Sequence, residues 1–324
     1  MKCINRVRNL CFTILISVSA LLTGCGSQSF ELSYKSNPDF QIEKEQDLKA
    51  EAFAANLCVV NEDVSENTDI KMEKESAAGL FDVNRNQVIY AKDIHERLYP
   101  ASLTKIMTAL VALKYGNTEE MITVTDNVVI TESGASLCGL EKGDQLTMNQ
   151  ALHALLIDSA NDAGIAIAEH VGGSVEGFSE LMNQEAQAIG ATNSHFVNPH
   201  GLPDNDHYVT AYDMYLIMNE AMKYDLFNEI IHMSDYSTVY YDKNGKEKNM
   251  SFHTTNQFLN GNYEAPKTIT VIGGKTGTTN AAGNCLILLS KDTAGNPYIS
   301  VILRSSQRTL LYEEMIGMLE EITN

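Results

Sequence analysis

An apolar run with no polar face constrains this chain more than any other feature. From Ile106 to Leu113 it reads Ile-Met-Thr-Ala-Leu-Val-Ala-Leu, so apolar side chains would leave a helix in nearly every direction. A helix that is apolar all round is a buried helix. Pro100 stands just before it, where a missing N–H costs little. The stretch Pro100-Ala101-Ser102-Leu103-Thr104-Lys105 therefore puts Ser102 at the mouth of a central helix. There it meets free backbone N–H groups and the positive end of the helix dipole. Lys105 follows three residues on, on the same face and within hydrogen-bonding reach. A serine hydroxyl needs a base to act as a nucleophile, and a lysine can be that base when burial or nearby cations lower its pKa. Ser-x-x-Lys fixes only two residues, however, and about one match arises by chance in a chain of this size. The rest of the sequence has to supply the missing parts.

The first 25 residues read as a targeting segment. Lys2, Arg6 and Arg8 form a basic start, and Leu10 to Leu22 is an apolar stretch too short to span a membrane. It ends Leu22-Thr23-Gly24-Cys25, which resembles a bacterial lipobox, so Cys25 is the expected lipidation site and new N-terminus. The alternative is an ordinary signal cut nearby, with Cys25 incidental. Lipid on Cys25 would anchor the protein at the outer face of the cytoplasmic membrane. Residues 26–50, rich in Ser, Gln, Lys, Asp and Glu, read as a tether averaging about 25–30 Å as coil. Loss of residues 1–24 removes three basic side chains and no acidic one, taking the formal charge from −19 to −22. Phosphate would be repelled, so nucleic acid is excluded as a partner. Cys58, Cys138 and Cys285 then remain, an odd set without a close pair, and read as isolated thiols.

Residues 51–324 suffice for one large domain or two lobes sharing a core. Residues 77–83 and 87–91 read as strands around an Asn84-Arg85-Asn86 turn. Helical patterns cover 149–172, 175–189 and 211–224; strands follow at 268–273, 284–290 and 298–304, and a closing helix at 309–322. Strands at both ends with helices between predict an α+β fold. One antiparallel sheet is completed by both chain ends, and a helical lobe is inserted into it.

Two further constellations complete the picture. Ser159-Ala160-Asn161-Asp162 interrupts the apolar helical stretch, where Ser and Asn are poor residues to bury without partners. Gly273-Gly274-Lys275-Thr276-Gly277-Thr278-Thr279 sits at the end of an apolar strand and offers a cation and hydroxyls to an anion. Read singly, the first is a polar helix junction and the second a glycine-rich strand end with a solvated lysine. Together, Ser-x-x-Lys, Ser-x-Asn and Lys-Thr-Gly in that order form the signature of the penicillin-recognising serine enzymes, whose fold is serine β-lactamase-like.

More closely, the chain from about Ala77 onward resembles the low-molecular-mass penicillin-binding proteins that act as D-alanyl-D-alanine carboxypeptidases. Pro100 to Ala109, Ser159 to Ala163, Phe196-Val197-Asn198-Pro199-His200-Gly201-Leu202, Asn256-Gln257 and Gly283 carry the resemblance. Family members often add a β-rich domain and a C-terminal amphipathic anchor; here the sequence ends on the closing helix, and Cys25 is expected to take the anchor's place. The resemblance implies catalytic roles for Ser102 as nucleophile, Lys105 as its base and Ser159 as proton carrier to the leaving amine. It implies substrate binding by Asn161, Lys275, Thr276, Gly277 and Thr278, with backbone N–H groups of Ser102 and Thr278 as the oxyanion hole. The implied substrate is the peptidoglycan stem pentapeptide, with β-lactam antibiotics as inhibitors. No cofactor or metal is expected: the histidines include no His-Glu-x-x-His, and His195, His200 and His207 read as structural. Two rivals stand beside this reading, a β-lactamase of the same fold and a non-catalytic penicillin-sensing wall lipoprotein.

Overall fold

The computed structural model describes residues 54–65 and 68–322; the predicted signal segment, Cys25 and the whole predicted tether over 26–50 lie outside them. The predicted first hairpin is present as β1 (Ala77–Asp82) and β2 (Gln87–Lys92). The chain then makes one 3-10 turn, Ala101–Leu103, and enters α1 (Thr104–Tyr115). Every residue of α1 from Thr104 to Ala112 is buried, as its all-round apolar pattern requires.

Short strands β3 (Met121–Thr123) and β4 (Gln145–Thr147) lead into α2 (Met148–Leu156). Thr147 and Gln150 start α2 with a reciprocal capping box. The predicted helix over 149–172 is in fact two, because the backbone breaks at Ile157–Ala160 before α3 (Asn161–Gly172). Helices α4 (Val175–Ala188), α5 (Ala211–Ala221) and α6 (Asp225–His232) complete the lobe. Sequence patterning missed α6 and also the hairpin β5 (Asp235–Tyr241) and β6 (Glu247–His253). These strands join β3 and β4 in a small sheet of order β3-β4-β5-β6.

The chain closes with β7 (Thr270–Thr279), β8 (Gly283–Lys291), β9 (Pro297–Ser305) and α7 (Arg308–Glu321). The main sheet runs β2-β1-β9-β8-β7, antiparallel throughout, so the first and last strands of the domain do complete one sheet. Ala77 pairs with Leu303 and Asp82 with Tyr298. Strand residues alternate between two cores. Ala78, Leu80, Leu286, Leu288 and Ile302 pack on α7 through Leu311, Tyr312, Met315, Met318 and Leu319. Ala77, Phe81, Ile287, Leu289, Val301 and Leu303 face the helical lobe, where Phe81 stacks on Tyr215 of α5 at 4.1 Å. The result is three layers, α7, sheet and lobe, with β7 as the sheet's free edge beside the start of α1. Among the described residues no helix is long and apolar enough to cross a membrane.

Candidate active site

Ser102 lies half-buried on the 3-10 turn rather than inside α1. The turn is strained: Ala101 has φ 48°, a left-handed conformation that costs a non-glycine residue on the order of 1 kcal/mol. Neighbours hold it there. Thr104 Oγ1 donates to Ala101 O at 2.9 Å and lies 2.9 Å from His207 Nε2. His207 Nδ1 accepts from Val197 N, so its Nε2 carries the proton and donates to Thr104. Gly201, at φ +87°, presses on the same turn, and a Cβ there would sit 1.8 Å from Ala101 O.

Lys105 Nζ is 2.9 Å from Ser102 Oγ, 2.6 Å from Asn161 Oδ1 and 3.0 Å from the carbonyl oxygen of His200. The side chain is fully buried. Burial, helped by the charge of Lys275, holds its pKa well below the usual lysine value, and Asp162 offsets this only in part. These three contacts accommodate the neutral amine that the lowered pKa favours. Its two N–H bonds serve Asn161 Oδ1 and His200 O, which can only accept, and its lone pair faces the hydroxyl proton of Ser102.

Ser159 sits in the break between α2 and α3 with φ 61°, also left-handed. Asn161 opens α3, and the next residue, Asp162, organises the rim. Its carboxylate accepts from the backbone N–H groups of Cys138, Gly139 and Leu140 at 3.0, 2.8 and 3.0 Å. Asn161 N donates to Ser136 O at 2.8 Å. The loop over 133–140 is thereby fixed over the site beside the Ser-x-Asn residues.

Lys275 corrects a sequence expectation. It lies in the interior of β7, not at a strand end, and is buried, with 1% of its surface exposed. Among the described residues its Nζ has one hydrogen-bond acceptor, Thr276 O at 3.1 Å. Burial lowers its pKa to about 7, against a smaller opposing pull from Asp158. Thr276 Oγ1 meets Thr255 Oγ1 at 2.6 Å, and Thr278 Oγ1 donates to Asn284 Oδ1 at 3.3 Å. Gly277 lets the strand approach the nucleophile turn: a Cβ there would be 2.9 Å from Ser102 N.

The three motifs thus converge on one cleft. On one side, about 560 Å³ is bounded by Ser102, Ser159, Thr276, Gly277 and Arg308. On the other, about 490 Å³ is bounded by Ser102, Asn161, Gly201, Thr278 and Ala281. Ser102 and Thr278 stand at the junction of the two. Of the residues picked out by sequence, only Cys25 lies outside the described part. Sequence reasoning missed the His200 carbonyl, a backbone atom without a sequence signature, and also Thr255 and Arg308. Burial lowers His207 to about 4 and His200 to about 3, so both are neutral, and His200 Nδ1 accepts from Leu202 N as His207 Nδ1 does from Val197 N. Cys58, Cys138 and Cys285 are free thiols.

Comparison with known proteins bears on the family and the fold. Residues 63–307 match the family described as Peptidase_S11, D-alanyl-D-alanine carboxypeptidase. The chain is 34% identical over 236 residues to the D-alanyl-D-alanine carboxypeptidase DacF of Bacillus subtilis, covering 71% of this chain and 57% of that one. It is 34% identical over 246 residues to DacC of Escherichia coli, covering 72% and 58%. It therefore spans a little over half the length of these curated relatives. Among solved structures it resembles the DD-transpeptidase of Streptomyces K15, with TM-score 0.69 and 26% identity over 75% of this chain and 95% of that one. The DacD carboxypeptidase of Francisella tularensis, 24% identical over 82% of this chain and 74% of that one, shares the fold with TM-score 0.68.

Proposed function

The chain belongs to the D-alanyl-D-alanine carboxypeptidase family, and from that premise we propose that it removes the terminal D-Ala from peptidoglycan stem pentapeptides through an acyl-enzyme on Ser102. The observation that carries this reading is the fully buried Lys105 amine, 2.9 Å from Ser102 Oγ with its other contacts all acceptors.

In the first step Lys105 Nζ takes the proton of Ser102 as Oγ bonds to the carbonyl carbon of the penultimate D-Ala. The N–H groups of Ser102 and Thr278 receive the oxyanion. The C–N bond then breaks, and Ser159 relays the proton to the leaving amine. Asn161 holds the substrate amide and Lys105, while Lys275, Thr276 and Thr278 receive the terminal carboxylate. Water hydrolyses the ester and frees the shortened peptide. Penicillin would acylate the same serine and persist, since the stretch from Thr192 to Asp213 offers no glutamate to activate water. Its Asp213 is occupied, accepting from Asn193 N and Ser194 Oγ.

Signal cleavage, lipid on Cys25 and a tether over 26–50 would place residues 51–324 as a catalytic domain at the outer face of the cytoplasmic membrane. Cys25→Ala should then leave the enzyme active but no longer sedimenting with membranes. Retention there after signal removal would refute the anchor. The activity itself is tested by incubating the protein with a stem pentapeptide and following the masses. Loss of one D-Ala over many turnovers, with stoichiometric and long-lived labelling by fluorescent penicillin, is expected. Rapid repeated penicillin hydrolysis without D-Ala release would make it a β-lactamase. Labelling without either turnover would make it a sensor.

A further inference from the structure

Beyond the cleft lies a second cavity of about 320 Å³, bounded by Arg97, Tyr99, Asn205, Tyr208, Ala281 and Arg304 among others. It continues the cleft, because both share the β7–β8 turn, through Ala281, and the loop carrying Pro203 and Asn205. Its charge is not balanced like the rest of this acidic chain. Arg304 is neutralised by a two-pronged pair with Glu96, each N–O distance 2.8 Å, and its Nε donates to Glu75 O. Arg97 has no carboxylate partner among the described residues. Its guanidinium lies 4.8 Å above the Tyr208 ring and donates to Asn193 Oδ1 at 3.3 Å. No acidic residue lines the cavity, and nearby Asp204 is turned to its own loop, accepting from Asp206 N. A planar fork held on an aromatic face and lacking an acid is suited to a carboxylate.

Substrate direction fixes whose carboxylate this is. The terminal carboxylate belongs at Lys275 and Thr276, so the acyl part of a peptide leaves Ser102 past Thr278 toward Asn280 and Ala281, where the second cavity opens. We propose that Arg97 receives a free carboxylate carried upstream of the residue that acylates Ser102, making this cavity a subsite for the acidic part of the stem peptide. The proposal rests on the carboxypeptidase reading above. Two positions can supply the group, the side chain of the third stem residue and the free carboxylate of the second.

The test compares wild type with Arg97→Gln on a pentapeptide with both carboxylates free, on the same peptide amidated at either one, and on a short N-acylated peptide ending D-Ala-D-Ala. The variant should lose about tenfold in kcat/KM on the free pentapeptide, the size of one charge-assisted contact. It should keep the wild-type rate on the short peptide and on penicillin acylation. In wild type, amidating one of the two positions should cause the same loss, to which the variant is indifferent, and that position identifies the group bound. Equal loss on long and short substrates would reduce Arg97 to a structural role. No loss on the pentapeptide, or a wild type insensitive to both amidations, would overturn the subsite. Absence of D-Ala release by wild type from every substrate would instead remove the activity on which the proposal stands, and the subsite with it.

Discussion

Two buried lysines face one cleft, and their titrations set opposite limits on its pH range. Lys105 must be neutral to take the Ser102 proton; its pKa is depressed, so the base form accumulates as pH rises through that lowered value. In the proposed mechanism Lys275 holds a carboxylate as a cation, and with its pKa lowered to about 7 it loses that charge as pH rises through that value. The second-order rate of acylation by penicillin is therefore expected to rise, peak and fall with pH. In Lys275→Arg the falling limb should vanish, because a guanidinium does not deprotonate. A wild-type rate that climbs to a plateau at pH 10 would show that the charge on Lys275 is not used. Lys105→Ala should lower acylation about 10³-fold at any pH, within the range for a lost general base. Lys275 also costs stability, since an ammonium with one acceptor is buried without a close counter-ion. Lys275→Met is expected to raise the urea midpoint by the equivalent of about 1 kcal/mol while weakening acylation. A lower midpoint would mean that the strand needs the cation.

At the level of elements, the site joins breaks to regular structure, with Lys105 in α1 and Asn161 at the start of α3. Ser102 is on a 3-10 turn, Ser159 between two helices and His200 in a loop, and only Lys275 to Thr278 lie within a strand. The left-handed backbone at Ser159 is the clearest mark of this. Both Ser159→Ala and Ser159→Gly should lose D-Ala release alike, yet the glycine variant should be more stable by about 1 kcal/mol, because it adopts φ 61° without strain. Equal unfolding midpoints would show that the residue is unstrained. Much of this was legible in the sequence. The all-apolar run announced α1, and Ser159-Ala160-Asn161 stood out as polar residues in an apolar stretch, although the pattern over 149–172 predicts one continuous helix across the break they mark. What stayed hidden had physical reasons. In β5 only Tyr240 is buried, so Asp235 to Tyr241 carries no strong apolar alternation. The burial of Lys275 depends on β7 lying against the Ser102 turn, a contact between parts of the chain far apart in sequence. The His200 carbonyl is an atom that every residue possesses.

Across the whole molecule, the seam between helical lobe and sheet is stitched by the loop over 194–209. Leu98 and Val209 exchange backbone hydrogen bonds of 2.8 and 2.9 Å, and His207 reaches Thr104 from the same loop. His207 is depressed to about 4 by burial, so the unfolded chain binds its proton first. Its contribution to stability is complete above about pH 6.5 and is lost as pH falls toward 4. Wild type should therefore lose more stability than His207→Gln between those values. Parallel losses in urea titrations would remove His207 from the seam. The sheet itself has a consequence in time. The nucleophile is encoded in the first half of the domain and the strand carrying Lys275 near its end, and β1, already paired with β2, finds its second partner only when β9 has been made. A nascent chain thus carries Ser102 before the β7 wall of its cleft exists. In the proposed mechanism such a chain should be latent towards penicillin, with acylation beginning only once the last hairpin has joined the first.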